Sequence, residues 1–151
     1  MRRVSRIAVA GVATAALAVT VSACGSSSSS SSSSGNKDLG LALAYDVGGK
    51  GDQSFNDAAT AGMEKANKEF GYKSTAVEPQ DGESDADKVQ RLETLAKQGY
   101  NPVIGVGFAY APAVKEAAAK FPKTTFGIVD DNTIKASNVA DLVFHEEQAS
   151  Y

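Results

Sequence analysis

The chain of 151 residues has one cysteine, one histidine and fewer basic than acidic side chains. A single cysteine can close no internal disulfide. One cysteine and one histidine fall short of the several nitrogen and sulfur donors that a transition-metal site draws on. His145 lies at the end of a predicted strand, and no Gly-x-Ser-x-Gly turn is present to make it half of a hydrolase couple. No catalytic constellation and no cofactor are therefore expected. The acids Asp81, Glu83, Asp85 and Asp87 cluster around a loop and a helix start, where negative charge suits the helix dipole, and they read as a solvated face.

What is present begins with two dozen residues unlike the rest. Arg2, Arg3 and Arg6 precede an uncharged run of small and branched apolar residues from Ile7 to Val21. The run is shorter than the roughly 20 residues that span a bilayer, and it ends in Ser22-Ala23-Cys24, so residues 1–23 read as a secretion signal. Val21-Ser22-Ala23-Cys24 resembles the lipobox of bacterial lipoproteins, which implies that Cys24 is acylated and becomes the mature N-terminus. Ser26 to Ser34 is unbroken serine between Gly25 and Gly35. With no apolar group to offset the entropy of ordering, residues 24–36 read as a flexible tether reaching on the order of 15–20 Å.

Removing residues 1–23 removes three arginines and no acid, so the balance moves from 15 − 18 = −3 to 12 − 18 = −6. The remaining lysines are scattered singly along the chain. Neither feature suits nucleic acid, which is held by clustered Lys and Arg.

From residue 37 onward, short apolar runs alternate with segments of helical period. Strands are expected at Leu39 to Tyr45, Tyr72 to Val77, Pro102 to Gly107, Thr124 to Val129 and Val139 to Phe144. Helices are expected between the first four. The first would run from Ser54 to Phe70, bury Phe55, Ala58, Ala59, Gly62, Met63, Ala66 and Phe70, and start with a Ser54/Asp57 capping pair. The second would start with Ser84/Asp87, bury Val89, Leu92, Leu95 and Ala96, and close at Gly99. The third would follow Pro112 and bury Val114, Ala117, Ala118 and Phe121. This alternation predicts an α/β fold: a parallel sheet between two helical layers, with ligands outside the carboxyl ends of the strands. Glu146 begins what reads as a further helix with nothing to cover it, so the sequence is expected to be truncated.

The loop from Asp46 to Asn56 enters a helix and contains Gly48, Gly49 and Gly51. A phosphate cradle is a poor reading: Lys50 precedes a glycine instead of opening a helix with Ser or Thr, and Asp46 and Asp52 would repel an anion. Asp46, Gly48, Gly49, Asp52, Ser54, Phe55, Asn56 and Gly62 stand instead at the spacing of the basic membrane protein family, the nucleoside-receptor lipoproteins of ATP-driven importers. Gly105-Val106-Gly107-Phe108, Phe126 to Asp130, Asn138-Val139, Glu147 and Ala149-Ser150-Tyr151 extend the resemblance across Leu39 to Tyr151.

That resemblance implies that residues 37–151 form the N-terminal lobe of a type I periplasmic-binding-protein-like clamp whose second lobe lies elsewhere. It also implies a monomer that delivers a purine nucleoside to an ABC permease. Asp46 would accept hydrogen bonds from the base edge, Phe55 would stack on the base, and Asp130 would take both ribose hydroxyls. Asn56, Gly107 and Phe108 would border the same cleft. Thr60 and Gly51 depart from the family pattern, where an aromatic and a second acid are common, and this bears on loop packing and nucleoside preference. The alternatives are a receptor for a sugar or signalling molecule, which has no base to stack, and a surface lipoprotein with no transport role.

Overall fold

The computed structural model describes residues 39–145 and 148. The expected signal, Cys24, the serine tether and Glu147 with Ala149-Ser150-Tyr151 lie outside the described residues. Within them the order is β1 (Leu39–Ala44), α1 (Phe55–Phe70), β2 (Lys73–Val77), α2 (Asp85–Gln98), β3 (Val103–Gly105), a single 3-10 turn (Phe108–Tyr110), α3 (Ala111–Lys120), β4 (Phe126–Val129) and β5 (Val139–Leu142). The strands form one sheet in the order β2-β1-β3-β4-β5. Every pairing is parallel, with Ala42 opposite both Thr75 and Val103, and Phe126 opposite both Val103 and Val139.

Side chains alternate across a strand, and β1 divides accordingly. Ala42 and Ala44 join the principal core with Leu92, Val103, Val114, Phe126 and Ile128, whereas Leu43 and Tyr45 join a smaller cluster with Val106, Ala59 and Met63. Helices α2 and α3 thus cover one face and α1 the other. Each fully buried Leu, Val, Ile or Phe in such a core contributes about 1.5–3 kcal/mol. The expected stripes of α2 and α3 are buried, with Phe121 partly so.

Helix α1 departs from expectation. Ala58 and Gly62 are exposed, Phe55 and Phe70 are 41% and 60% exposed, and the two fully buried residues are Asn56 and Thr60. The middle of the helix, at Ala59 and Met63, packs on Leu43, Tyr45 and Val106, while the ends of the expected stripe face solvent. Thr60 Oγ1 instead donates to the Asn56 carbonyl and lies in a short hydrogen bond with the Tyr45 hydroxyl.

The two capping predictions also part ways. Ser84 and Asp87 form a complete capping box on α2. Ser54 makes no side-chain cap on α1. Asp52 does that work: its carboxylate accepts the amides of Ser54, Asn56 and Asp57 at 2.9–3.1 Å. An acid can satisfy several free amides of a first turn where a hydroxyl takes one. Asp57, the expected partner of Ser54, is turned back to accept the amides of Gly51 and Gln53.

Candidate functional site

All five strands point the same way, so the segments after β1, β3, β4 and β5 meet at one edge. On that edge stand Asp46, Gly107, Phe108, Asp130 and Phe144. Strands β1 and β4 are separated only by β3. At ordinary strand spacing this sets the exits carrying Asp46 and Asp130 about 10 Å apart.

Asp46 is pinned through its backbone. Its amide donates to Asn56 Oδ1 at 3.1 Å, and its carbonyl accepts from Asn56 Nδ2 at 3.2 Å and from the Gly49 amide at 3.1 Å. Asn56 Nδ2 also donates to the Gly49 carbonyl at 3.1 Å. Both amide hydrogens of Asn56 are therefore used within the loop, and the side chain is buried. Asn56 is thus a staple that holds the β1–α1 loop, as a buried amide must be satisfied locally.

The Asp46 side chain is placed differently. Its Oδ1 is a buried atom with no hydrogen-bond partner among the described residues. Its Oδ2 lies against Gly107, where an added Cβ would be 2.7 Å away. Asn67 Oδ1 and Asp141 Oδ1 are likewise buried and unpartnered, but Asn67 lies in α1 and Asp141 within β5. A buried acceptor without a donor costs on the order of 1–3 kcal/mol, so the Asp46 oxygen is poised to gain from a ligand donor.

The floor beneath Asp46 is wired to α2. The Tyr110 hydroxyl donates to the Tyr45 carbonyl at 3.0 Å and accepts from Arg91 Nη1 at 2.6 Å. Arg91 also forms a two-pronged pair with Glu83. The Arg91 and Glu83 side chains are only 8% and 3% exposed, so Glu83 is no part of a solvated face, contrary to the sequence reading. Burial opposes the charged form of Glu83, but the Arg91 hydrogen bond, the Gln80 amide and the charges of Arg91 and Lys88 outweigh it and hold the carboxyl below its ordinary value. Burial pushes the Tyr110 phenol up to about 12, against the charge and hydrogen bond of Arg91, and Glu83 and Asp46 add to the rise. The phenol thus stays a neutral donor at physiological pH.

Asp130 follows β4 in a left-handed conformation, φ 63°, and its amide donates to the Leu142 carbonyl. No donor among the described residues reaches its carboxylate. With Asp131, Asn132, Val143 and Phe144 it lines an open depression of about 250 Å³. Phe55, at the first turn of α1, stacks on Phe144 with ring centroids 5.6 Å apart and planes 19° apart. Phe108 is 67% exposed at the rim. The geometry therefore brings Asp46 to Gly107, and Phe55 through Phe144 to Asp130; Asn56 lies behind the loop. Sequence reading missed Phe144 at this edge, taking it for the end of a strand. Its position just past the last strand, on the carboxyl edge, was the signal. Larger depressions of about 480 and 380 Å³ lie along α2 and between α2 and α3.

A family model described as ABC transporter substrate-binding protein, PnrA-like (Bmp), matches residues 41–151. An uncharacterized lipoprotein of Pyrococcus horikoshii is 39% identical over 116 residues, which are 76% of this chain and 28% of the relative. The nucleoside-binding protein BmpA of an ABC transporter in Lactococcus lactis is 31% identical over 146 residues, 96% of this chain and 42% of the relative. The chain thus spans well under half the length of these curated relatives. Among solved structures, an ABC transporter solute-binding protein from Aeropyrum pernix superposes with a TM-score of 0.66 at 29% identity, over 74% of this chain and 30% of that one. A lipoprotein fragment from Peptoclostridium difficile shares the fold, with a TM-score of 0.62 at 22% identity over 75% of this chain and 91% of the fragment.

Proposed function

The chain belongs to the Bmp family of PnrA-like ABC transporter substrate-binding proteins, and from that premise we propose that it captures a purine nucleoside at the carboxyl edge of its sheet for ATP-driven import. The observation that carries the reading is the buried, unpartnered Asp46 Oδ1 beside Gly107. An unpaired acceptor on a pinned backbone suits the N–H donors on a purine edge. Asp130, one strand beyond β3, has an unengaged carboxylate, and a carboxylate accepts two hydroxyls at once. The roughly 10 Å between the two strand exits suits a base joined to a sugar. Phe55 supplies the ring for stacking, Gly107 lets the ligand and Asp46 approach closely, and Phe108 shields the rim. The relative named a nucleoside-binding protein agrees with this ligand class.

In this reading residues 1–23 are a lipoprotein signal, residues 24–36 a lipidated cysteine and tether, and residues 37–151 a binding lobe that works as a monomer with an opposing lobe and a permease. Relatives named lipoproteins agree with a protein held at the extracytoplasmic face of the cell membrane. Cys24→Ala should shift the protein from the membrane fraction to the soluble fraction; a variant still recovered with membranes would argue against the anchor.

Calorimetry of the full-length protein with adenosine, guanosine, their free bases and ribose tests the ligand class. Ribonucleosides should give saturable heat, deoxyribonucleosides should bind more weakly, and Phe55→Ala should weaken binding about tenfold, since stacking one base is worth about 1–3 kcal/mol. Absence of heat with every nucleoside near millimolar concentration would reject the proposal. Ribose binding that Phe55→Ala leaves intact would point to a sugar receptor.

A further inference from the structure

The Phe55–Phe144 stack sets a condition on ligand entry. Phe55 and Phe144 are 41% and 55% exposed, yet their rings lie nearly parallel, with centroids 5.6 Å apart. Such a separation is that of two rings already in contact, and no third ring fits between them. Residue 144 lies two positions beyond the last residue of β5. The last ladder bond nearby is from the Asp130 amide to the Leu142 carbonyl, and no backbone hydrogen bond among the described residues holds Val143 or Phe144. Phe144 also lines the depression beside Asp130, so it stands between the aromatic platform and the acid proposed for the ribose.

We propose that Phe144 is a placeholder: its ring occupies the face of Phe55 that a base takes, and binding requires it to swing away. The inference rests on the nucleoside reading above. The exchange is chemically even-handed, one aromatic partner replacing another on the same ring. A half-exposed side chain on a segment without ladder bonds can leave at little cost. The consequence is selectivity for ligands with a broad aromatic face. A free sugar has none and cannot compensate Phe55 for the contact it loses.

The position is testable because a competitor and a clamp have opposite signs. Full-length native protein, Phe144→Ala and Phe144→Leu are each titrated with guanosine and, separately, with adenosine. Removing a competing stacked ring should tighten whichever nucleoside binds by about two- to tenfold, the range that corresponds to the strength of an aromatic pair. In the Phe55→Ala background the same Phe144 substitutions should change affinity by less than twofold, since no platform remains to be vacated; a merely structural role would not depend on Phe55. Native protein that binds neither nucleoside overturns the capture reading and the placeholder with it. Native binding that both Phe144 variants leave unchanged or weaken overturns the placeholder alone, a weakening marking Phe144 as part of the ligand's own stack.

Discussion

Arg91→Leu is expected to destabilise the domain by about 3–5 kcal/mol, the cost of leaving one member of a buried ion pair without the other. The guanidinium pairs with Glu83 through two nitrogens and donates to the Tyr110 hydroxyl. Its removal strands a carboxylate that is 3% exposed. Leucine fills much of the volume, so electrostatics and not a cavity carries the loss. Urea denaturation at neutral pH measures it. The double variant Arg91→Leu/Glu83→Leu should recover most of the stability, because no charge is then left buried.

The pH dependence has opposite signs in the native and variant proteins. In the native protein Glu83 titrates below its ordinary value of 4.5. Its stabilisation is fully present above pH 4.5 and is lost as pH falls through the lower folded value. In Arg91→Leu the guanidinium's hydrogen bond and charge are gone, and burial, the largest influence on Glu83, is opposed only by the Gln80 amide and the Lys88 charge. The Glu83 value is expected to rise relative to native, so that variant gains stability relative to native as the carboxyl protonates on acidification. Parallel stability curves from pH 7 to pH 4 would contradict this account. The pair also matters beyond stability: through Tyr110 it holds the Tyr45 carbonyl, one residue before Asp46.

Gly107→Ala is expected to cost nucleoside affinity about ten- to a hundredfold, the equivalent of losing one hydrogen bond to a charged group. Two effects combine at this position. Gly107 sits at φ 95° and ψ 151°, a region that side chains other than glycine enter only at about 1–3 kcal/mol. The new Cβ would also stand 2.7 Å from Asp46 Oδ2, so the carboxylate or the backbone has to shift. Gly51 supplies the control. It too has a positive φ, 98°, but nothing lies within 4 Å of an added Cβ. Gly51→Ala should therefore strain the loop and leave affinity within about threefold of native, a difference under about 1 kcal/mol. Calorimetry with guanosine and adenosine separates the two, and native-like binding by Gly107→Ala would remove Asp46 from the site.

Where sequence reading succeeded, one local pattern sufficed. The apolar stripes of α2 and α3 have a full helical period and face a sheet that covers them. The Ser84/Asp87 box closes within four residues, so no distant group competes for it. At α1 the same reasoning misjudged both the cap and the stripe. The Ser54/Asp57 pattern was present, but the neighbouring Asp52 reaches three amides and Asp57 is drawn back to the loop. The stripe was present too, but a helix buries only what the sheet beneath it can cover.

The candidate site divides along the same line. That Asp46, Gly107 and Asp130 stand on one edge followed from the order of strands and helices alone, because strands joined by crossover helices run parallel and all exit the same way. The pattern of apolar runs, caps and glycines therefore determined the architecture and the edge where ligands belong. Which acid keeps an unpaired oxygen, that Asn56 is a staple, that Glu83 is buried with Arg91, and that Phe144 covers Phe55 were decided by contacts between residues far apart in the chain. Hydrogen bonding and burial belong to such pairs, and no single residue or local spacing carries them.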